Sequence, residues 1–161
     1  MKGAVWIVTL LAAASYAALI WVGMAAYAGQ KPLDLRVLGY SHSDVMQMLN
    51  ALPIGAGEAI LTDVRRLDTV FPVLLGLALA GWLWLASAGR GFALRLAALG
   101  VPAAYTAVDL YENALVARII GGAFPSENLV AAASSATMVK FGLLALVAVV
   151  LFLFAGDGKE G

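Results

Sequence analysis

Cysteine is absent from the chain, which removes disulfides, thiol redox chemistry and cysteine-ligated metal together. The single histidine, His42, excludes bis-histidine haem ligation within one chain and argues against a histidine-rich metal site, so neither metal nor cofactor is expected. Charge is scarce too. Only 12% of residues are charged, and ten basic side chains balance ten acidic ones, so no basic face is available for nucleic acid. Apolar side chains fill the space left, at 63% of the 161 residues against about 45 to 50% in soluble domains. With a mean hydropathy of +0.92, the composition predicts a single-domain, all-α integral membrane protein.

A hydrocarbon core about 30 Å thick takes about 20 apolar residues per helix. Four runs qualify, at about 4–28, 67–87, 96–120 and 129–154, and the connections after the second and third are short. The predicted fold is therefore an antiparallel four-transmembrane-helix bundle. The first run contains AAASYAA, which resembles a signal-peptide cleavage region. Its apolar length exceeds the roughly 7 to 15 residues of a signal core, however, and it is read as a span. In the second span, Pro72 frees a backbone carbonyl that a neighbour or water must satisfy. That span is expected to begin as an interfacial turn around Arg65 and Arg66 and to enter lipid near Leu67.

Between the first two spans, Gly29, Lys31, Pro32, Asp34, Arg36, Gly39 and Tyr40 break the apolar pattern. Ser41 and Asp44 then approximate a capping box, and Val45, Met48, Leu49 and Leu52 form an apolar stripe before PIGAG ends it. This predicts an amphipathic interfacial helix over about 41–53, lying on the bilayer surface or folded over the bundle mouth. His42 reads as a hydrated residue of its first turn. Lys2, Arg90, Arg95 and Lys159 fall on one side of such a bundle, and Trp6, Trp82 and Trp84 share that interface. Both termini are then expected in the cytoplasm, with the protein in a bacterial inner (plasma) membrane.

The apolar third span nevertheless carries Tyr105, Asp109, Glu112 and Asn113 at helical spacing. A carboxylate near the bilayer centre costs roughly 3 kcal/mol on insertion scales, so such groups face a bundle interior or a wet cavity. Asp109 lies fifteen residues before Phe124 in the third turn, and Lys140 lies sixteen after it. At about 1.5 Å of rise per residue the two should meet at one depth on neighbouring helices. Arg65 and Asp68 form either an interfacial ion pair or the entrance to this polar track, and Tyr105 and Tyr16 would supply hydroxyls. Arg118, about half a revolution from Asp109, belongs to the outer interface.

The candidate binding site is thus Tyr16, Arg65, Asp68, Tyr105, Asp109, Glu112, Asn113 and Lys140, opening away from the cytoplasm. Were it catalytic, Asp109, Glu112 and Lys140 would be the acid–base candidates. No nucleophilic triad or phosphate loop is present. Three functions compete: a pocket for a lipid-like or small amphiphilic ligand, an accessory subunit of a larger membrane complex, and a proton- or ion-linked transporter acting as an oligomer. Expected partners are membrane lipids, a small amphiphilic ligand, and either further copies of this chain or a larger complex.

Overall fold

The computed structural model describes residues 1–156, so Lys159, counted above among the cytoplasmic charges, lies outside the described residues. Every regular element among them is helical. Helix α1 spans Lys2–Tyr27, α2 His42–Ala51, α3 Ala56–Ala59, α4 Arg65–Ala86, α5 Phe92–Gly121 and α6 Glu127–Gly156. A π-helical turn, Ile60–Val64, joins α3 to α4, making one continuous helix Ala56–Ala86. Among the described residues four helices are therefore long and apolar enough to cross a membrane.

Contacts along their lengths make successive long helices antiparallel. Thr9 accepts a 3.0 Å hydrogen bond from Trp82 and Tyr16 packs on Phe71, so α1 runs against α4. Arg95 donates to the Trp84 carbonyl at 3.1 Å while Thr106 reaches the Pro72 carbonyl further along, which does the same for α4 and α5. The ring is not closed. α1 packs on α4, α4 on α5, and α6 on α5 and α4, but α1 and α6 scarcely touch.

Close approach of α4 and α5 depends on Gly76, where an added Cβ would sit 2.0 Å from Thr106 Oγ1. The Thr106 hydroxyl donates to the Pro102 and Pro72 carbonyls at 3.0 and 3.3 Å, tying the two proline-containing helices together.

The second long helix starts at Ala56, eleven residues before Leu67, the expected point of entry into lipid, so the stretch around Arg65 and Arg66 is already helical. Arginines end an apolar run but do not end a helix, and the breaker in this stretch is Gly55, whose φ of 84° starts the new helix. The loop helix α2 opens on the expected capping box, with Ser41 accepting from the Asp44 amide and the Asp44 carboxylate accepting from the Ser41 amide. The Ser41 hydroxyl and amide, donating to that carboxylate at 2.6 and 2.7 Å, hold the Asp44 carboxyl below the usual carboxylate range. Its apolar stripe does not face lipid. Val45 and Met48 are buried in a cluster with Leu33, Ile60, Leu115, Ile119 and Val130, so α2 folds over the bundle mouth. Each such buried side chain stabilises the cap by about 1.5 to 3 kcal/mol. His42 is not simply hydrated either: its Nε2 donates to the Pro125 carbonyl at 2.9 Å, fastening α2 to the α5–α6 turn.

The strap leading into α2, residues 28–41, is seated as firmly. Leu33 is fully buried, and the Tyr40 amide donates to Ser134 Oγ of α6 at 2.8 Å. Gly39 makes that seating possible, because its φ of 84° is left-handed and a Cβ there would lie 2.8 Å from the same Ser134 oxygen.

Candidate functional site

α5 and α6 build the floor of the site. Lys140 Nζ lies 3.2 Å from Asp109 Oδ1 and 2.5 Å from Glu112 Oε2. Asp109 and Glu112 are one turn apart on α5, so a single ammonium opposite them spans both carboxylates. The flanking hydroxyls complete the network. Tyr105, one turn before Asp109, donates to its Oδ2 at 2.8 Å, and Thr137, one turn before Lys140, meets Glu112 Oε1. Glu112 and Thr137 are wholly buried, and Asp109 and Lys140 nearly so. Charges held this far from water persist only where each has partners, and here each does.

Above this floor lies a cavity of about 530 Å³, within the range of pockets that take small molecules. It occupies the gap between α1 and α6. Ile20, Gly23 and Met24 of α1 face Phe141 and Leu144 of α6 across it, with Phe71 and Leu75 of α4 behind. The strap roofs it, contributing Gln30 and Asp34. Polar groups gather at one end, where Asp34, Asp68, Asp109 and Lys140 all line the wall.

The eight expected residues divide. Tyr16, Asp68, Tyr105, Asp109 and Lys140 line the cavity. Glu112 stands behind Lys140 rather than on the wall. Arg65 is exposed, makes no ion pair with Asp68 and is not on the cavity wall. Three residues of helix turn it about 60° from Asp68, and the two share only a small separate pocket beside Ile60 and Asn113. Asn113 serves the backbone instead. Its Nδ2 donates at 2.6 Å to the Asp68 carbonyl, the one that Pro72 leaves without a helical amide.

Sequence reasoning missed Asp34 and Thr137. Thr137 was within reach, because it precedes Lys140 by three residues and so shares its face. Asp34 carried no such signal, being in a short 3-10 turn, Leu33–Leu35, of an otherwise irregular strap. Burial raises its carboxyl above the usual range, with Lys140 opposing that rise and Asp109 adding to it. Tyr40, at the end of the strap, is pushed up to about 12, chiefly by burial, with the carboxylates of Glu112 and Asp34 adding to the rise.

The chain matches no protein-family model, no curated protein and no solved structure. What the cavity does must therefore follow from its own chemistry. Among the described residues no three His, Cys, Asp or Glu side chains converge as metal ligands. The cavity offers apolar walls for a chain, a charged end for a head group, and a gap between two helices through which both could pass.

Proposed function

We propose that this is an integral membrane protein of four transmembrane helices that holds a lipid-like or small amphiphilic molecule in the cavity between α1 and α6. The membrane half of the reading is supported by outward apolar surface: Trp21 is 81% exposed, Phe152 78% and Leu10 64%, far more than water-facing helices carry. The lysine and arginine distribution favours a plasma membrane with both termini cytoplasmic, so that the strap and α2 face the other side. One observation carries the ligand half. A sizeable cavity with apolar walls ends in a charged cluster and is flanked by two helices that do not close on each other, which suits an occupant with a tail and a head arriving from the bilayer.

If the site performs acid–base chemistry, Asp109 and Lys140 are the groups within reach of a bound molecule, and Glu112 tunes them from behind. The alternative of an accessory subunit draws on the same ion cluster as interhelical glue and predicts a chain that is unstable without partners. Transport draws on the carboxylates as proton carriers and predicts an oligomer.

Gly23 provides the test. It lines the cavity, and a Cβ there would meet nothing within 4 Å, so Gly23→Phe fills the space without disturbing the helix. Mass spectrometry of the protein purified in a neutral detergent should find a retained amphiphile in the wild type and little in Gly23→Phe. Equal retention by both, or none by either, would reject the ligand reading.

A further inference from the structure

The cavity's charge does not balance. Asp34, Asp68, Asp109 and Glu112 surround one ammonium, that of Lys140, which already touches Asp109 and Glu112. Asp68 has neither a hydrogen-bond nor an ion-pair partner for its carboxylate among the described residues, and Asp34 has no ion-pair partner. Arg66 and Arg65, the nearest cations in sequence to Asp68, are both exposed and neither lines the cavity. A desolvated space holds such an excess of negative charge only if protons or a cation come with it. An anionic head group, whether a fatty-acid carboxylate or a lipid phosphate, would add to the excess and find no free cation on the wall.

Aromatic rings stand beside the acids. Tyr16 and Phe71, with ring centroids 5.0 Å apart, form a wall of the same cavity, and Tyr27 lines it near the strap. Ring faces next to carboxylates are the surroundings that hold ammonium groups, through cation–π attraction added to charge pairing.

We infer that the occupant of this cavity is an amphiphile with a cationic, ammonium head, which lies between Asp34 and Asp68 while its alkyl tail extends along Ile20, Met24 and Leu144. The inference rests on the ligand reading above and narrows it to one head-group chemistry. The ammonium can belong to a simple alkylamine or to the head group of a zwitterionic lipid, and the two sources are separable.

The experiment compares four probes with one chain length on the full-length protein in a neutral maltoside detergent, read by native mass spectrometry and thermal shift: dodecyltrimethylammonium, dodecylphosphocholine, dodecanol and dodecanoate. Dodecyltrimethylammonium should bind about tenfold or more tightly than dodecanol, as one charge pair near a protein surface allows, and dodecanoate should bind least. Dodecylphosphocholine binding as tightly as dodecyltrimethylammonium supports a zwitterionic lipid as the source, and binding no better than dodecanol supports a free amine. Asp68→Asn and Asp34→Asn should each lower the affinity for dodecyltrimethylammonium by about tenfold, with dodecanol binding reporting that the cavity is still formed. Dodecanoate binding as well as dodecyltrimethylammonium overturns the cationic head and leaves the cavity reading intact. Failure of all four probes to bind overturns the cavity reading itself.

Discussion

Asn113 donates its side-chain amide to the backbone carbonyl of Asp68 at 2.6 Å, across the interface between α5 and α4. Pro72, four residues further along α4, has no N–H to give that carbonyl, so the asparagine repairs a bond that the proline removed. The repair holds Asp68 at the cavity and fixes the register of two helices at once. Asn113→Ala should therefore cost about 1 to 3 kcal/mol, the usual penalty for stranding a buried acceptor. Pro72→Ala restores the helical amide, and in that background Asn113→Ala should cost much less. Denaturation of the four members of this cycle measures the coupling, and additive costs would show that the two residues act independently.

Lys140 is the one ammonium between two buried carboxylates. Lys140→Met keeps the bulk and leaves Asp109 and Glu112 uncompensated, a loss expected to cost about 3 to 5 kcal/mol. Neutralising the acids as well, in Lys140→Met with Asp109→Asn and Glu112→Gln, should return most of that stability. Thermal unfolding in detergent reads both effects. An unchanged midpoint for Lys140→Met would mean that the ion cluster does not hold α5 to α6.

Much of this cluster was legible in the sequence, for a geometrical reason. The α5–α6 turn is short, so residues on both helices can be counted from it, and Asp109 and Lys140, almost equidistant from Phe124, are 3.2 Å apart. Position in a helix is a rule of rise and rotation, and Tyr105 and Glu112 follow from it. Asp34 does not. Its place is decided by where Leu33 finds a core and where the Tyr40 amide meets Ser134, and neither contact leaves a period in the strap. Arg65 shows the limit of spacing alone. Three residues from Asp68 reads as the same face, but only the packed helix decides which side of that face looks into the cavity.

The pH dependence should carry the signature of Asp34. Burial raises its carboxyl while Lys140 of α6 opposes the rise, and Asp109 of α5 adds to it. The folded protein thus holds this proton more tightly than the unfolded chain does. Its contribution is complete below the unfolded value, roughly pH 4, and is lost as pH rises through the higher folded value. Asp34→Asn cannot ionise, so wild type and variant should differ least near that acidic limit, and the variant should be relatively more stable at neutral pH. Cation binding runs the opposite way. It needs the carboxylate, so affinity for dodecyltrimethylammonium should climb with pH in the wild type, and climb less in Asp34→Asn. Titrations across this range decide it, and a wild-type affinity that falls as pH rises would contradict the arrangement.

The gap between α1 and α6 is the remaining element that function would require, because the strap roofs the cavity at one end. The natural absence of cysteine makes it testable directly. In Ile20→Cys with Leu144→Cys, the introduced thiols are the only ones in the chain, and they flank the cavity from its two facing helices. A flexible bis-maleimide joining them should close the side entrance while leaving the α1–α4 and α5–α6 packing untouched. Exchange of a bound dodecyl probe should slow sharply on cross-linking, whereas modification of either single-cysteine variant with a monofunctional maleimide of similar size should slow it less. If the cross-linked protein exchanges ligand as fast as the unmodified one, the route in lies past the strap instead, and the 28–41 segment must open.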